Sequence, residues 1–600
     1  MNDGFERVGE VLRNATDLDD DAGGGFVDDE DEVGSILPPR FPVQPLGQAD
    51  GKFHFLTARG EKAELTASAM ASRSNLVALF AGAPDPMASL SMIGAKKSKD
   101  IGFNAALAAD VLMQACSELP LFDPSTSMRH FGTWRGSTEH PVVHLGEEII
   151  VGSGERRRGR RVGDALYPAV PAKPPPAARP ALAEDLAHVR DRIRDAWSWG
   201  SGHDADAIMG WVGQAVLGQY PSWRTHCYIR GRHGSGKTTL TKLVSDLLGG
   251  MSTGVKNGAT AASIRQITNR QAIARIFDEA EGDDHGSISD VVALFRLMSG
   301  SDGAKVERGT SDHGGVSFEL YGAGFLAAII PAHMTPADRS RFVILAMNER
   351  QASDNPAAAA QILANLQADA KALGPEIWRR MITLAPQRWD RTFQVYNGLV
   401  QSLGAPSRTG DTVGAILAGW DLMLHDLPLC DPKTGEACQD RLELARKIAL
   451  PFVAASQEAD EESDGDRCLR AIFAGLIEKD HGGRITVAEL IQKAQRAEKD
   501  PEPDDQRMLG RIGVRIQPGP RYQRDMFIAN AENPLLSRVL AGSGWIKGGH
   551  RAALDTIGDV KPSPKSIRVA GKPARGLIVP AHHLPGYQPS ETSEDGLIEV

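Results

Sequence analysis

Eight consecutive residues, Gly231-Arg232-His233-Gly234-Ser235-Gly236-Lys237-Thr238, fill every fixed position of G-x-x-x-x-G-K-[ST]. The chemistry of that spacing is the binding of an anionic polyphosphate. Its glycines let backbone N–H groups curl inward into a nest that side chains would obstruct. Gly231, Gly234, Ser235, Gly236, Lys237, Thr238 and the adjoining Thr239 are therefore the nucleotide-binding candidates. Lys237 supplies a point charge for the β- and γ-phosphates, and the Thr238 hydroxyl supplies one ligand of Mg²⁺. The cofactors this implies are ATP and Mg²⁺; the bland alternative is a glycine-rich surface turn.

Two further sets of side chains complete such a site. Ala272-Ile273-Ala274-Arg275-Ile276-Phe277-Asp278-Glu279 is an apolar run ending in two carboxylates. A buried strand there delivers Asp278 to the Mg²⁺ shell and leaves Glu279 to orient or deprotonate the attacking water. The competing reading is an ordinary strand end at a surface loop. Further on, Pro336-Ala337-Asp338-Arg339-Ser340-Arg341-Phe342 sets two arginines beside an acid just past an apolar strand. An oligomeric ATPase places there a group that stabilises charge on its neighbour's γ-phosphate. A salt bridge from Asp338 to one of the arginines is the structural alternative.

These residues need elements to hold them. A phosphate loop follows a strand and opens a helix. Upstream, His226-Cys227-Tyr228-Ile229-Arg230 has strand composition; downstream, Leu240, Leu243, Val244, Leu247 and Leu248 recur at helical spacing before Gly249-Gly250. Past Asp278, Ile288 to Met298 reads as helix. Ala304 to Arg308 and Val316 to Tyr321 then alternate as a β-hairpin around a polar, glycine-bearing tip. Lys305, Arg308 and His313 are its candidates for DNA contact, at a phosphate backbone; a purely structural hairpin is the competing reading. Gly324 to Ile330 gives another buried strand.

The remaining chain divides around this core. Residues 1–34 hold twelve Asp or Glu against Arg7 and Arg13, a net of −10 that equals the whole chain's net charge, so residues 1–50 read as an acidic disordered tail. Residues 51–165 are mixed α+β, with strands at Lys52–Leu56, Pro141–Leu145 and Glu148–Val151 and a helix from Ala105 to Cys116. His144 lies in this part as a partly exposed structural histidine. The run Arg156 to Arg161 is either a phosphate-holding surface or a solvated basic loop. Residues 166–180, with Pro174-Pro175-Pro176, read as an extended linker. Residues 181–350 form the nucleotide core, opened by a helix that carries Leu182, Leu186, Val189, Ile193 and Trp197 on one face; 351–465 read as a helical lid or connector. In 466–600, three helices and then strands at Val514–Ile516 and Met526–Ile528 follow the winged-helix order, with Arg511, Arg515, Arg521 and Arg524 available for phosphates. His582-His583 has no partner at metal spacing in the sequence. The 41% hydrophobic content suits ordinary cores, and no apolar run reaches membrane-spanning length. Five scattered cysteines without C-x-x-C spacing and an acidic N-terminus point to a cytoplasmic protein without structural zinc.

Taken in order, these features resemble the helicase-like ATPases of phage and plasmid replication, related to superfamily 3 and often associated with primases. The likeness is carried by Gly231 to Thr238, Ile276-Phe277-Asp278-Glu279-Ala280-Glu281, Arg308-Gly309 in the hairpin, and Ala337 to Arg341. Phe131-Gly132-Thr133-Trp134 and Val143-His144-Leu145-Gly146 add to it. The resemblance implies an α/β fold: an AAA+-type P-loop NTPase core with an α+β N-terminal domain and a C-terminal winged-helix domain. It further implies a homo-hexameric ring, ATP hydrolysis between subunits, and single-stranded or forked DNA drawn past central hairpins. In that scheme Arg341, and after it Arg339, is the arginine finger. The group's γ-phosphate-sensing asparagine has no counterpart after Ile330, where Pro331-Ala332-His333 stands. No primase domain is legible, so priming would come from a partner in trans. A nucleotide-switched initiator or transcriptional regulator without unwinding activity is the alternative.

Overall fold

The computed structural model describes residues 36–38, 41–94, 102–123, 128–136, 140–151, 155–158, 160–163, 165–257, 260–278, 285–309, 315–328, 334–349, 355–461, 463–479, 483–540, 545–546 and 548–589. The acidic tail up to residue 35, Glu279, His313 and His333 lie outside them. The chain forms two compact units, 1–456 and 457–600. No helix among the described residues is long and apolar enough to cross a membrane.

Unit 1 begins with the antiparallel meander β1 (Gln44–Ala49), β2 (Lys52–Leu56) and β3 (Lys62–Thr66). Four helices cover it: α1 (Ala67–Met70), α2 (Arg73–Leu79), α3 (Pro86–Ile93) and α4 (Ala105–Ser117). A second antiparallel sheet holds β4 (Gly132–Arg135), β5 (Pro141–His144), β6 (Glu148–Val151) and β7 (Glu155–Arg158), and β8 (Arg160–Val162) pairs with β9 (Ala165–Tyr167). His144 is fully buried rather than partly exposed. Its Nε2 lies 2.9 Å from Pro168 O, and its Nδ1 accepts from the Gly146 N–H at 3.0 Å. A core position whose two ring nitrogens are both satisfied by backbone explains it.

The proline-rich segment is extended, and it is bonded on both sides. Val170 N donates to Gly146 O and Lys173 N to Leu145 O, while Ala177 N and Ala181 N donate to Pro375 O and Glu376 O. The segment is thus a strap across unit 1. It leads into α5 (Ala183–Ala196) and the buried α6 (Asp204–Val216).

Five parallel strands follow, in the order β11-β12-β15-β10-β16. In chain order they are β10 (His226–Gly231), β11 (Ser252–Asn257), β12 (Ala274–Asp278), β15 (Gly324–Ala328) and β16 (Phe342–Met347). Their near-continuous apolar residues are those of a parallel sheet covered on both faces. Cys227, Ile229, Ile276, Phe325, Ala327, Val343 and Leu345 join one core; Tyr228, Phe277, Leu326, Ala328 and Phe342 join another on the opposite face. The first face packs on α5, α6 and α7 (Lys237–Leu247). It also packs on the long helix α11 (Pro356–Ser402), α12 (Ser407–Leu424) and α13 (Gln439–Glu461). The other packs on α8 (Ala261–Ile267) and α9 (His285–Met298). The helices expected as a lid therefore share one core with the sheet. The hairpin forms as expected, with β13 (Ala304–Gly309) antiparallel to β14 (Gly315–Leu320).

Two contacts fix the long helix. Gly249, at φ +56°, and Gly374 meet backbone to backbone: a Cβ on Gly374 would lie 2.2 Å from Asp246 O, and one on Gly249 2.2 Å from Gly374 C. Within the helical layer, buried Asp421 takes Arg388 at 2.9 Å, Arg441 at 3.1 Å and the Tyr396 hydroxyl at 2.9 Å. A buried carboxylate requires such pairing.

Unit 2 continues with α14 (Asp464–Ala474) and the hairpin β17 (Leu476–Glu478)–β18 (Arg484–Thr486). Then come α15 (Val487–Arg496), α16 (Pro503–Arg511), β19 (Val514–Ile516) and β20 (Met526–Ala529). After α17 (Pro534–Val539) and α18 (Gly549–Leu554), β21 (Lys561–Pro562) and β24 (Gly576–Val579) complete a sheet of order β19-β20-β24-β21, and β22 (Ile567–Val569) pairs with β23 (Lys572–Ala574). Arg524 is not open to phosphate. It is 2% exposed, and its guanidinium donates to Ala494 O, Gln495 O and Ala497 O at the end of α15. The unpaired carbonyls at a helix C-terminus attract the cation inward. Arg515 donates to Arg568 O and Arg521 to Arg496 O, so both are already turned onto backbone.

Burial holds four histidines of unit 1 neutral. His130, His144 and His425 are pushed down to about 4 and His226 to about 3. Unfolded, each would protonate near pH 6.5. Below that pH the unfolded chain takes up protons that the folded one does not, and stability falls until the folded pKa is reached. Asp204, pushed up to about 6 by burial, acts in the opposite sense. Each proton that these rings withhold corresponds to a loss of about 1.4 kcal/mol per pH unit as the pH falls from about 6 toward 4.5. Urea midpoints followed across that range should fall steeply, and His144→Gln should remove about one proton from the slope. A flat profile would contradict the neutral state of these rings.

Candidate functional site

The phosphate-loop residues leave the carboxyl end of β10, near the centre of the sheet, and open α7. Gly234 and Gly236 have φ of +81° and +88°, the left-handed region that only glycine enters without cost. Gly236 is the N-cap of α7. The loop therefore ends where successive N–H groups and the helix dipole both favour an anion. Ser235 is 1% exposed, and its buried Oγ has no hydrogen-bond partner among the described residues. The Lys237 ammonium donates to Gly231 O at 2.6 Å and Arg232 O at 3.0 Å, closing the loop upon itself. Thr238 is exposed and Thr239 half-buried.

One contributor was not legible beforehand. Helix α5 ends at Ala196, and Trp197 leaves it with extended φ and ψ of −126° and 152°. Its indole N–H then donates to Gly236 O at 3.2 Å. A Cβ on Gly236 would meet that nitrogen at 2.8 Å. The tryptophan thus clamps the loop at Gly236. The sequence showed only an apolar position on a helix face.

Asp278 is the last residue of β12 and is 3% exposed. Strand β15 lies between β12 and β10, with Phe277 paired to Leu326 and Leu326 to Tyr228. Continuing that register sets Asp278 level with Ile229, two strand spacings or about 10 Å across the sheet. The loop and Asp278 thus share the carboxyl edge of one parallel sheet, where such sheets hold ligands. Glu279, the proposed base, follows immediately and lies outside the described residues.

Arg339 and Arg341 are elsewhere. Strand β16 pairs with β10 in the register His226 to Phe342 through Gly231 to Met347. Arg341 therefore sits at the amino end of the sheet, six residues or about 20 Å from Gly231 along the strand. Asp338 pairs with neither arginine printed beside it in the sequence: it caps α10 (Pro336–Arg339) through Thr335, and its Oδ1 faces Arg296 at 3.3 Å. The half-exposed Arg341 guanidinium donates to Ala337 O and lies 5.9 Å from the Trp223 ring. Burial, with Arg408 and Arg296 nearby, lowers its pKa. Thr412 of α12 braces the turn by donating to Ser340 O at 2.7 Å. Arg339 is exposed on α10.

Lys305 is exposed on β13. The side chain of Arg308 and the whole of His313 fall outside the described residues. Buried His226, between Ser299 Oγ at 3.0 Å and the Gly324 N–H at 2.9 Å, ties β10 to the start of β15.

No protein-family model matches the chain, and no curated protein matches it. Among solved structures, it is similar to SCCmec type IV Cch, described as an active helicase, at 11% identity and a TM-score of 0.47 over 90% of this chain and 93% of that one. It is also similar to the NrS-1 C-terminal region, at 12% identity and 0.28 over 74% and 95%. A third is a full-length MCM homolog from Methanopyrus kandleri, at 13% and 0.25 over 54% and 76%. Likenesses at these scores establish neither a shared family nor a shared activity.

Proposed function

We propose that this chain is an ATP-dependent DNA helicase or translocase of the phage- or plasmid-replication type, working as a homo-hexameric ring with ATP hydrolysed between subunits. The observation that carries the reading is the division of the chemical groups between the two ends of one sheet. The loop and Asp278 share the carboxyl edge, while Arg341 lies at the amino end, too far to serve its own loop. Head-to-tail packing of copies would bring one protomer's Arg341 to the next protomer's loop, and such packing closes into rings.

The residues fit ATP and Mg²⁺. The left-handed glycines, the orphaned Ser235 hydroxyl and the N-terminus of α7 form a phosphate cradle. Lys237 exchanges its two loop carbonyls for phosphate oxygens as the nucleotide enters. Thr238 and Asp278 would hold Mg²⁺, which when bound neutralises charge on the β- and γ-oxygens. Glu279 orients or deprotonates the attacking water, and Arg341, aided by Arg339, stabilises charge on the neighbour's γ-phosphate. The hairpin β13–β14, with Lys305, Arg308 and His313, would grip single-stranded DNA. A primase would act in trans.

Unit 2 supports a second reading. Its order of helix, hairpin, two helices and hairpin fits a winged-helix module on duplex DNA, as in a nucleotide-switched initiator or regulator. Strand displacement on a forked substrate separates the two. The helicase reading expects ATP-dependent unwinding and DNA-stimulated hydrolysis. ATP-dependent duplex binding without unwinding would replace it with the second.

A further inference from the structure

Two neighbouring histidines in unit 2 converge on one carboxylate. His582 Nε2 lies 2.8 Å from Asp559 Oδ2, and His583 Nε2 lies 2.8 Å from Asp559 Oδ1. The two imidazoles stack with centroids 4.2 Å apart. Adjacent residues ordinarily point in different directions, so this convergence is imposed by the backbone. The histidines end a short 3₁₀ turn, Ala581–His583, after β24, and Leu584 N closes it on Ala581 O at 2.9 Å. Buried Ala581 and Leu584 anchor the turn on both sides, and Ala581 N donates to Asp525 Oδ1 at 2.9 Å. Asp559 sits just before β21, between buried Ile557 and Val560. Strands β21 and β24 pair directly, so their ends bring the three side chains together.

We propose that Asp559, His582 and His583 form a binding site for a divalent first-row transition ion of the zinc type. Two imidazole nitrogens and a carboxylate oxygen are a donor set suited to such ions. The ligand atoms lie within 4.8 Å of one another. Ligands at about 2.0–2.2 Å in tetrahedral array stand about 3.3 Å apart, so the 2.8 Å contact to whichever Asp559 oxygen binds opens by about half an ångström, and the other imidazole exchanges its contact with the second oxygen for the ion. On binding, each neutral ring turns its Nε2 lone pair to the metal and carries its proton on Nδ1. Water fills the remaining position. Asp559 and His582, with side chains about half exposed, leave the site open to loading. The ion would clip the entry of β21 to the exit of β24, closing the loop that contains β22 and β23.

The test is titration of the chelator-stripped, full-length protein with Co²⁺ in excess Mg²⁺ and without nucleotide, so that no free ATP chelates the cobalt. One equivalent should give the intense visible absorption of low-coordinate cobalt, and Zn²⁺ should displace it. His582→Ala should weaken Co²⁺ binding by at least about 100-fold. His583→Gln, which keeps a donor toward Asp559 and so preserves the turn, should do the same. Absence of the band, its retention in the His583→Gln protein, or a weak octahedral spectrum alone would overturn the site and leave Asp559 as a hydrogen-bonding partner only.

Discussion

Replacing Lys237 with alanine should lower ATP turnover by on the order of 10³-fold. The ammonium is the only cation the loop itself directs inward: it is within 2.6 Å of Gly231 O and 3.0 Å of Arg232 O. The backbone N–H groups of the loop form the floor on which the terminal phosphates would lie, and the ammonium would leave those two carbonyls for the phosphate oxygens. Its removal takes a full charge away from the oxygens where negative charge develops, in a partly buried cradle where water compensates poorly. Phosphate release under saturating ATP measures the loss, and wild-type turnover in the variant would contradict the nucleotide assignment. The expectation concerns hydrolysis rather than folding, because the left-handed glycines and the Trp197 clamp hold the loop independently of the lysine.

Arg341→Ala should also lower turnover, by about 10³-fold or more, while leaving nucleotide binding in place. The informative experiment mixes the two inactive proteins. If Arg341 serves the neighbour, an Arg341→Ala protomer still offers an intact loop, and a Lys237→Ala protomer still offers an intact arginine. A mixed ring then regains complete sites at the interfaces where those two intact halves meet. Random assembly of equal amounts restores up to about a quarter of the sites. An arginine acting within its own protomer would restore none. The register of β16 on β10 favours recovery, since it sets Arg341 and Gly231 at opposite ends of adjacent strands.

What the sequence revealed was mostly local. The loop, its strand and its helix were legible because their residues are contiguous and each obeys a short-range rule. Asp278 could be read from the apolar run before it, and the hairpin from alternation around a glycine-bearing tip. Sheet order was not legible: nothing in the chain between Asp278 and Gly324 announces that β15 inserts between β12 and β10. The stretch 351–465 read only as a helical lid or connector, yet α11 runs unbroken through Pro375 and Pro386 because packing in the helical layer outweighs the missing hydrogen bonds. Trp197 looked like helix core, and only the chain's departure from the helix turned it to Gly236. Arg524 looked like a phosphate ligand by charge alone, whereas nearby helix-end carbonyls claim it. His582-His583 lacked a partner because Asp559 comes close only through the pairing of β21 and β24. Each miss involves a contact between segments far apart in sequence.

The meeting of Gly249 and Gly374 has a mechanical consequence. Flexible side chains between two helices act as a spring, absorbing small displacements by changing rotamer. Here the turn after α7 touches α11 through bare backbone at Gly249 and Gly374, where no rotamer can absorb a displacement, and Gln367 reaches Asp246 beside that point. A displacement of the end of α7 would at that point bear directly on a helix of 47 residues.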